Sequence, residues 1–66
     1  MKGSVKFFDE DKGYGFIRPD GASKDIFVHI SAVEKSEFSA LEKGQRIEFD
    51  VVPGRKGEQA ENLRPE

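Results

Sequence analysis

The 66-residue chain has no cysteine and no tryptophan. Without cysteine, neither a disulfide nor a cysteine-ligated zinc can staple a small core, so stability rests on packing and should be on the order of 3–5 kcal/mol. No apolar run approaches the roughly 20 residues that span a bilayer. The segment Met1-Lys-Gly-Ser-Val-Lys6 also lacks the apolar stretch of a secretion signal. A soluble, cytoplasmic protein with no membrane partner is the expectation. Histidine occurs once, and the carboxylates are strewn along turns. No nucleophile is paired with a base, and a lone imidazole makes a poor metal site. Asp25 and His29 would stand about 13 Å apart along an extended strand, too far to form a dyad. Neither catalysis, a cofactor, a metal nor a small-molecule substrate is expected.

What the chain does have is concentrated in residues 12–30. Lys12-Gly-Tyr-Gly-Phe-Ile17 leads through a turn at Pro19-Asp-Gly21 to Asp25-Ile-Phe-Val-His-Ile30. Period-two alternation puts Tyr14 and Phe16 on one face of the first strand and Gly15 and Ile17 on the other. In the second strand Asp25, Phe27 and His29 share a face, and Ile26, Val28 and Ile30 point the opposite way. The Pro-Asp-Gly turn lets the two pair as an antiparallel hairpin with one aliphatic face and one aromatic face. A chain of this size builds one small core and cannot cover both faces. The aliphatic face is the better core, and the aromatic face, mixed with Lys12, Asp25 and glycines, becomes an exposed platform. Exposed rings edged by lysine suit nucleobases, which stack on such platforms for about 1–3 kcal/mol each.

Charge narrows the partner. Thirteen acidic residues against eleven basic ones give a net charge of −2, so the chain does not grip phosphate broadly. Stacking would have to supply most of the affinity, which favours single strands, whose bases are free, over duplexes. The rival is a small β-barrel whose aromatic face takes a proline-rich or hydrophobic peptide.

Around the hairpin, Val5-Lys6-Phe7-Phe8 reads as a first strand, with Val5 and Phe7 on one face and Lys6 and Phe8 on the other by strict alternation. Gly13 reads as a turn residue and Gly15 as a point of close approach inside a strand. Ser31-Ala-Val-Glu34 reads as a capping box opening one helical turn. Local signals leave residues 37–43 open between a short helix ended by Gly44 and a loop, and leave Phe38 open between core and surface. Arg46-Ile-Glu-Phe-Asp-Val51 alternates cleanly, so Ile47, Phe49 and Val51 face inward. Pro53-Gly54-Arg55-Lys56-Gly57 is a turn with two basic residues. The weakly patterned segment 58–64 forms the last strand, with Ala60 and Leu63 as its apolar members. Five short strands with one inward face imply a small all-β barrel, a single domain over residues 1–66.

Lys12-Gly-Tyr-Gly-Phe-Ile17 and Asp25-Ile-Phe-Val-His-Ile30, preceded by Val5-Lys6-Phe7-Phe8, closely resemble the paired ribonucleoprotein motifs of the bacterial cold-shock proteins. The similarity runs on through Leu41-Glu-Lys-Gly-Gln45 and Gly57-Glu-Gln-Ala60 to Asn62. The resemblance implies a five-stranded antiparallel Greek-key barrel of the oligonucleotide-binding type, holding single-stranded RNA or DNA with little sequence preference. It implies an RNA chaperone or regulator of gene expression in the cold-shock response, mainly monomeric and able to exchange strands into a dimer. By position, the stacking rings would be Phe7, Tyr14, Phe16, Phe27, His29 and Phe38, with Phe8 flanking them. Lys6, Lys12 and Asp25 would edge the strand, and Arg55 falls in a basic turn. The resemblance moves Phe38 to the surface and makes its segment a loop. This sequence departs from the family pattern at three positions. Phe7 replaces a usual tryptophan, Ile30 replaces a common aromatic at a base site, and Asp9 replaces a usual asparagine. All three push toward weaker binding, on a scale from a fraction of a kcal/mol to about 1–3 kcal/mol per altered base contact.

Overall fold

The computed structural model describes residues 1–54 and 57–66. Five strands and one short helix follow in the order β1 (Lys2–Asp9), β2 (Tyr14–Pro19), β3 (Ile26–His29), α1 (Ile30–Glu34), β4 (Arg46–Gly54) and β5 (Gly57–Pro65). The strands close into a barrel in the order β1-β2-β3-β5-β4, with β4 pairing back onto β1. Every pairing is antiparallel except the contact of Phe27 on β3 with Gln59 on β5, which is parallel. Closure leaves no long sheet edge open to another chain. No helix among the described residues is long and apolar enough to cross a membrane.

The interior is filled by the side chains that alternation sends inward: Val5, Ile17, Ile26, Val28, Ile47 and Phe49. Ala32 and Val33 of α1, with Leu41 of the following loop, add to the same core. Residues 35–45 contain no helix, so the loop is present and the short helix that local signals allowed is not. Phe38, however, is half-buried and packs against the core rather than standing free on the surface. The segment holds few apolar anchors, and a helix this short would need more of them to offset its nucleation cost.

Two bulges account for the departures from simple alternation. On β1, Val5 pairs with Ile17 but Phe7 pairs with Phe16, so β1 carries one residue more than β2 at Lys6. An inserted residue exchanges the faces of everything beyond it. Val5 is therefore buried while Phe7, two residues on, is 41% exposed, and Phe8 turns inward to pack against the core. The expectation that Val5 and Phe7 share a face fails for this reason. On β5 the register shifts opposite Glu48 and Asp50, and Asn62 takes φ +54°. This insertion lets Ala60 and Leu63, three residues apart, both face inward, which is why the strand looks weakly patterned as sequence.

The helical turn expected after Val28 is present but begins earlier than predicted. Ile30 is its first residue, so it leaves the aliphatic row of β3 instead of extending it. The cap is His29, not Ser31: the Ser31 amide donates to His29 Nδ1 at 3.1 Å.

Candidate nucleic-acid interface

The β2–β3 register places Tyr14 beside His29 and Phe16 beside Phe27, and the β1 bulge adds Phe7 beside Phe16. Five rings therefore share the outer face of three adjacent strands. Tyr14 and Phe27 stack at 5.8 Å between centroids with 21° between planes. Phe16 stands edge-on to Tyr14 at 6.2 Å and to Phe27 at 5.9 Å. Phe7 lies 5.6 Å from Phe16, and His29 lies 6.4 Å from Phe27. Edge-to-face and offset pairs at these separations are attractive, about 0.5–1.5 kcal/mol each beyond burial. The rings thus hold one another in place while their outer surfaces stay accessible. Along His29 and Phe27 the platform opens into a groove of about 1080 Å³, whose far wall includes Gly54, Gly57 and Gln59.

The backbone that permits this approach is glycine at Gly15. A Cβ there would collide with the Phe7 carbonyl and with Phe8 Cα, so β1 and β2 could not lie so close beneath the rings. Beyond Asp9 the chain turns around an acceptor. The amides of Asp11 and Lys12 donate to the Asp9 carboxylate at 3.0 and 3.1 Å, and Gly13, at φ +81°, donates to its carbonyl. Asp9 therefore organises the turn that delivers Tyr14 to the platform, and its carboxylate oxygen accepts as an amide oxygen would.

Capping fixes the chemistry of His29. An amide N–H can only donate, so Nδ1 must offer a lone pair to Ser31, and the Ser31 hydroxyl lies 3.0 Å from the same nitrogen. The neutral ring then carries its proton on Nε2, a donor for a base acceptor. The ring thus serves both platform and helix cap, and two substitutions separate these roles. His29→Ala should lower unfolding free energy by about 1 kcal/mol through loss of the cap, whereas His29→Asn, a strong capping residue, should keep most of it. Equal stability losses in chemical denaturation would show that the cap contributes nothing.

At the lower end of the platform Asp25 lies between two cations. Arg18 Nε donates to Oδ1 at 2.5 Å and Lys6 Nζ to Oδ2 at 3.0 Å. The Arg18 guanidinium, and then the Lys6 ammonium, hold the Asp25 carboxyl below the usual carboxylate range. Arg18 did not stand out in the sequence, although it continues the Tyr14, Phe16 alternation by one step. Gln59 and Gly54 carried no local signal, because they reach the groove through the long-range β3–β5 contact and the end of β4. Elsewhere several acidic side chains are paired with arginines at the surface. Asp20 pairs with Arg46, which depresses its carboxyl, and Asp50, depressed by Asn62 and then Arg64, belongs to a pair on β4 and β5.

Of the other residues singled out in the sequence, Lys12 is exposed in the β1–β2 turn. Ile30 is half-buried at the start of α1, where its amide donates to the Gly13 carbonyl at 2.9 Å. Phe8 and Phe38 pack against the core and are not brought into the ring array. Arg55 lies outside the described residues. Among the described residues, no group of three or more His, Asp or Glu side chains could hold a metal ion.

Comparison with known proteins matches residues 1–65 to the family model described as the 'Cold-shock' DNA-binding domain. The chain is 51% identical over 63 residues to cold shock-like protein CspE of Escherichia coli strain K12, covering 96% of this chain and 91% of that protein. It is 49% identical to CspE of Buchnera aphidicola subsp. Acyrthosiphon pisum, with 96% and 91% covered. Against cold shock-like protein CspG of E. coli strain K12 the identity is 48%, with 96% and 90% covered.

Proposed function

This chain belongs to the cold-shock DNA-binding domain family, and from that premise we propose that it binds single-stranded RNA and DNA by stacking bases on Phe7, Tyr14, Phe16, Phe27 and His29. The observation that carries this is the contiguity of five rings left accessible on one face of a barrel whose core is complete without them. Each ring offers a flat unsaturated surface to any base, so sequence preference is weak. Lys6, Lys12 and Arg55 neutralise phosphates along the path, and Asp25 orients the cations beside it. Phe38 and Ile30 border the track, and Phe8 supports it from the inner side. The protein acts by binding, not by catalysis. It keeps RNA unstructured in the cytoplasm as a chaperone or regulator of gene expression in the cold-shock response. It works as a single domain over residues 1–66, mainly as a monomer, with strand exchange as the route to a dimer.

Tyr14 is the only tyrosine in a chain without tryptophan, so it reports its own site. Titration with a short oligothymidine should quench its fluorescence saturably. Two or three phosphate contacts to a single strand predict a shallow dependence of log affinity on log salt, with a slope of about −1 to −2. No quenching at high oligonucleotide concentration, in folded protein, would overturn the proposal and turn attention to a peptide partner.

A further inference from the structure

The ring array ends in charge. On β2 the outer row runs Tyr14, Phe16, Arg18, and in the facing strand the row of His29 and Phe27 leads back to Asp25. Arg18 uses Nε, the inner nitrogen of its guanidinium, to reach Asp25, and Lys6 reaches the other carboxylate oxygen. The two cationic side chains are 44% and 53% exposed, while Asp25 is only 20% exposed. The carboxylate is thus the tucked-in partner and the cations face solvent. Nε is engaged by Asp25, and the two terminal nitrogens of Arg18, a planar pair of donors, are left without a protein acceptor among the described residues. Two positive charges on one negative leave a local charge of +1 on a protein whose net charge is −2. A planar guanidinium beside an ammonium, both drawn to one carboxylate, suits a tetrahedral phosphate, and the carboxylate engages only the Nε edge of the guanidinium.

We infer that Arg18 and Lys6, set by Asp25, grip a backbone phosphate of the bound single strand where it leaves the rings, an inference that rests on the single-strand binding proposed above. Arg18 is the residue this adds to the interface, and Asp25 is its positioning residue. The site gives an acidic protein a phosphate anchor without raising its overall charge.

The test compares the unaltered protein with Arg18→Gln and Arg18→Lys, using oligothymidine with a 5′-hydroxyl end so that internucleotide phosphates are the only ones present. Losing one phosphate contact should make the salt slope shallower by about 0.7. The same relation gives an affinity loss of about fivefold near 0.1 M salt that vanishes near 1 M. Arg18→Lys keeps a positive charge and should recover most of the slope, but not the full affinity that the planar guanidinium supplies. If Arg18→Gln binds with the same slope and affinity as the unaltered protein, the Arg18–Asp25 pair is only a surface ion pair and the inference is overturned. If the unaltered protein itself does not bind, the single-strand proposal falls and this site falls with it.

Discussion

Phe49→Ala is expected to unfold most of the protein. Phe49 is fully buried at the centre of the barrel, and it is the largest of the fully buried side chains. Truncating a buried phenylalanine to alanine costs about 3–5 kcal/mol, the lost transfer energy plus the cavity left behind. A domain of this size without disulfide or metal holds only about 3–5 kcal/mol in total. The two figures meet, so the variant should show little cooperative transition on heating and a circular dichroism spectrum close to that of the denatured chain. A variant that still unfolds cooperatively within a few degrees of the parent would mean that the barrel collapses onto the vacated space. Two bulged strands, β1 and β5, would be the places where it could do so.

Phe49 and Phe16 are the same residue type in strands of similar character, yet the sequence places them on opposite sides. For Phe49 the signal is Arg46-Ile-Glu-Phe-Asp-Val51, where charged neighbours mark the outward positions. For Phe16 it is the pairing of two alternating strands across a short turn in a chain too small to cover both faces, which makes the aliphatic rows the better core. Both placements agree with the fold because alternation is a local property of a strand. What failed were features set by insertion or by distant pairing. The bulge at Lys6 carries no compositional mark, so Val5 and Phe7 looked like neighbours on one face. Nothing around Ser31 announced that His29 would take over as cap, since histidine is not an ordinary capping residue. Phe38 is held by the core at long range, which local sequence leaves open. A lone exposed arginine such as Arg18 carries no signal in sequence until its position beside Asp25, seven residues on, is known.

Removing two platform rings, by Phe16→Ala with Phe27→Ala, should weaken binding severely while leaving the barrel folded. The two rings lie side by side at the middle of the array, and each touches Tyr14. If each stacks one base at about 1–3 kcal/mol, the pair accounts for about thirtyfold in affinity at the low end and more than 10⁴-fold at the high end. Because the rings are in contact, the double loss should differ from the sum of the single ones, which makes the two single variants part of the measurement. Stability should fall less than in Phe49→Ala, since these side chains lie outside the core and leave no enclosed cavity. Binding measured under conditions where circular dichroism shows native structure would isolate the interface. Phe16→Leu with Phe27→Leu then distinguishes two physical origins, because leucine keeps most of the apolar surface but has no π face. Loss of affinity in the leucine pair comparable to the alanine pair would assign binding to stacking. Near-parental affinity in the leucine pair would assign it to apolar contact, and unchanged affinity in a folded alanine pair would remove these rings from the interface altogether.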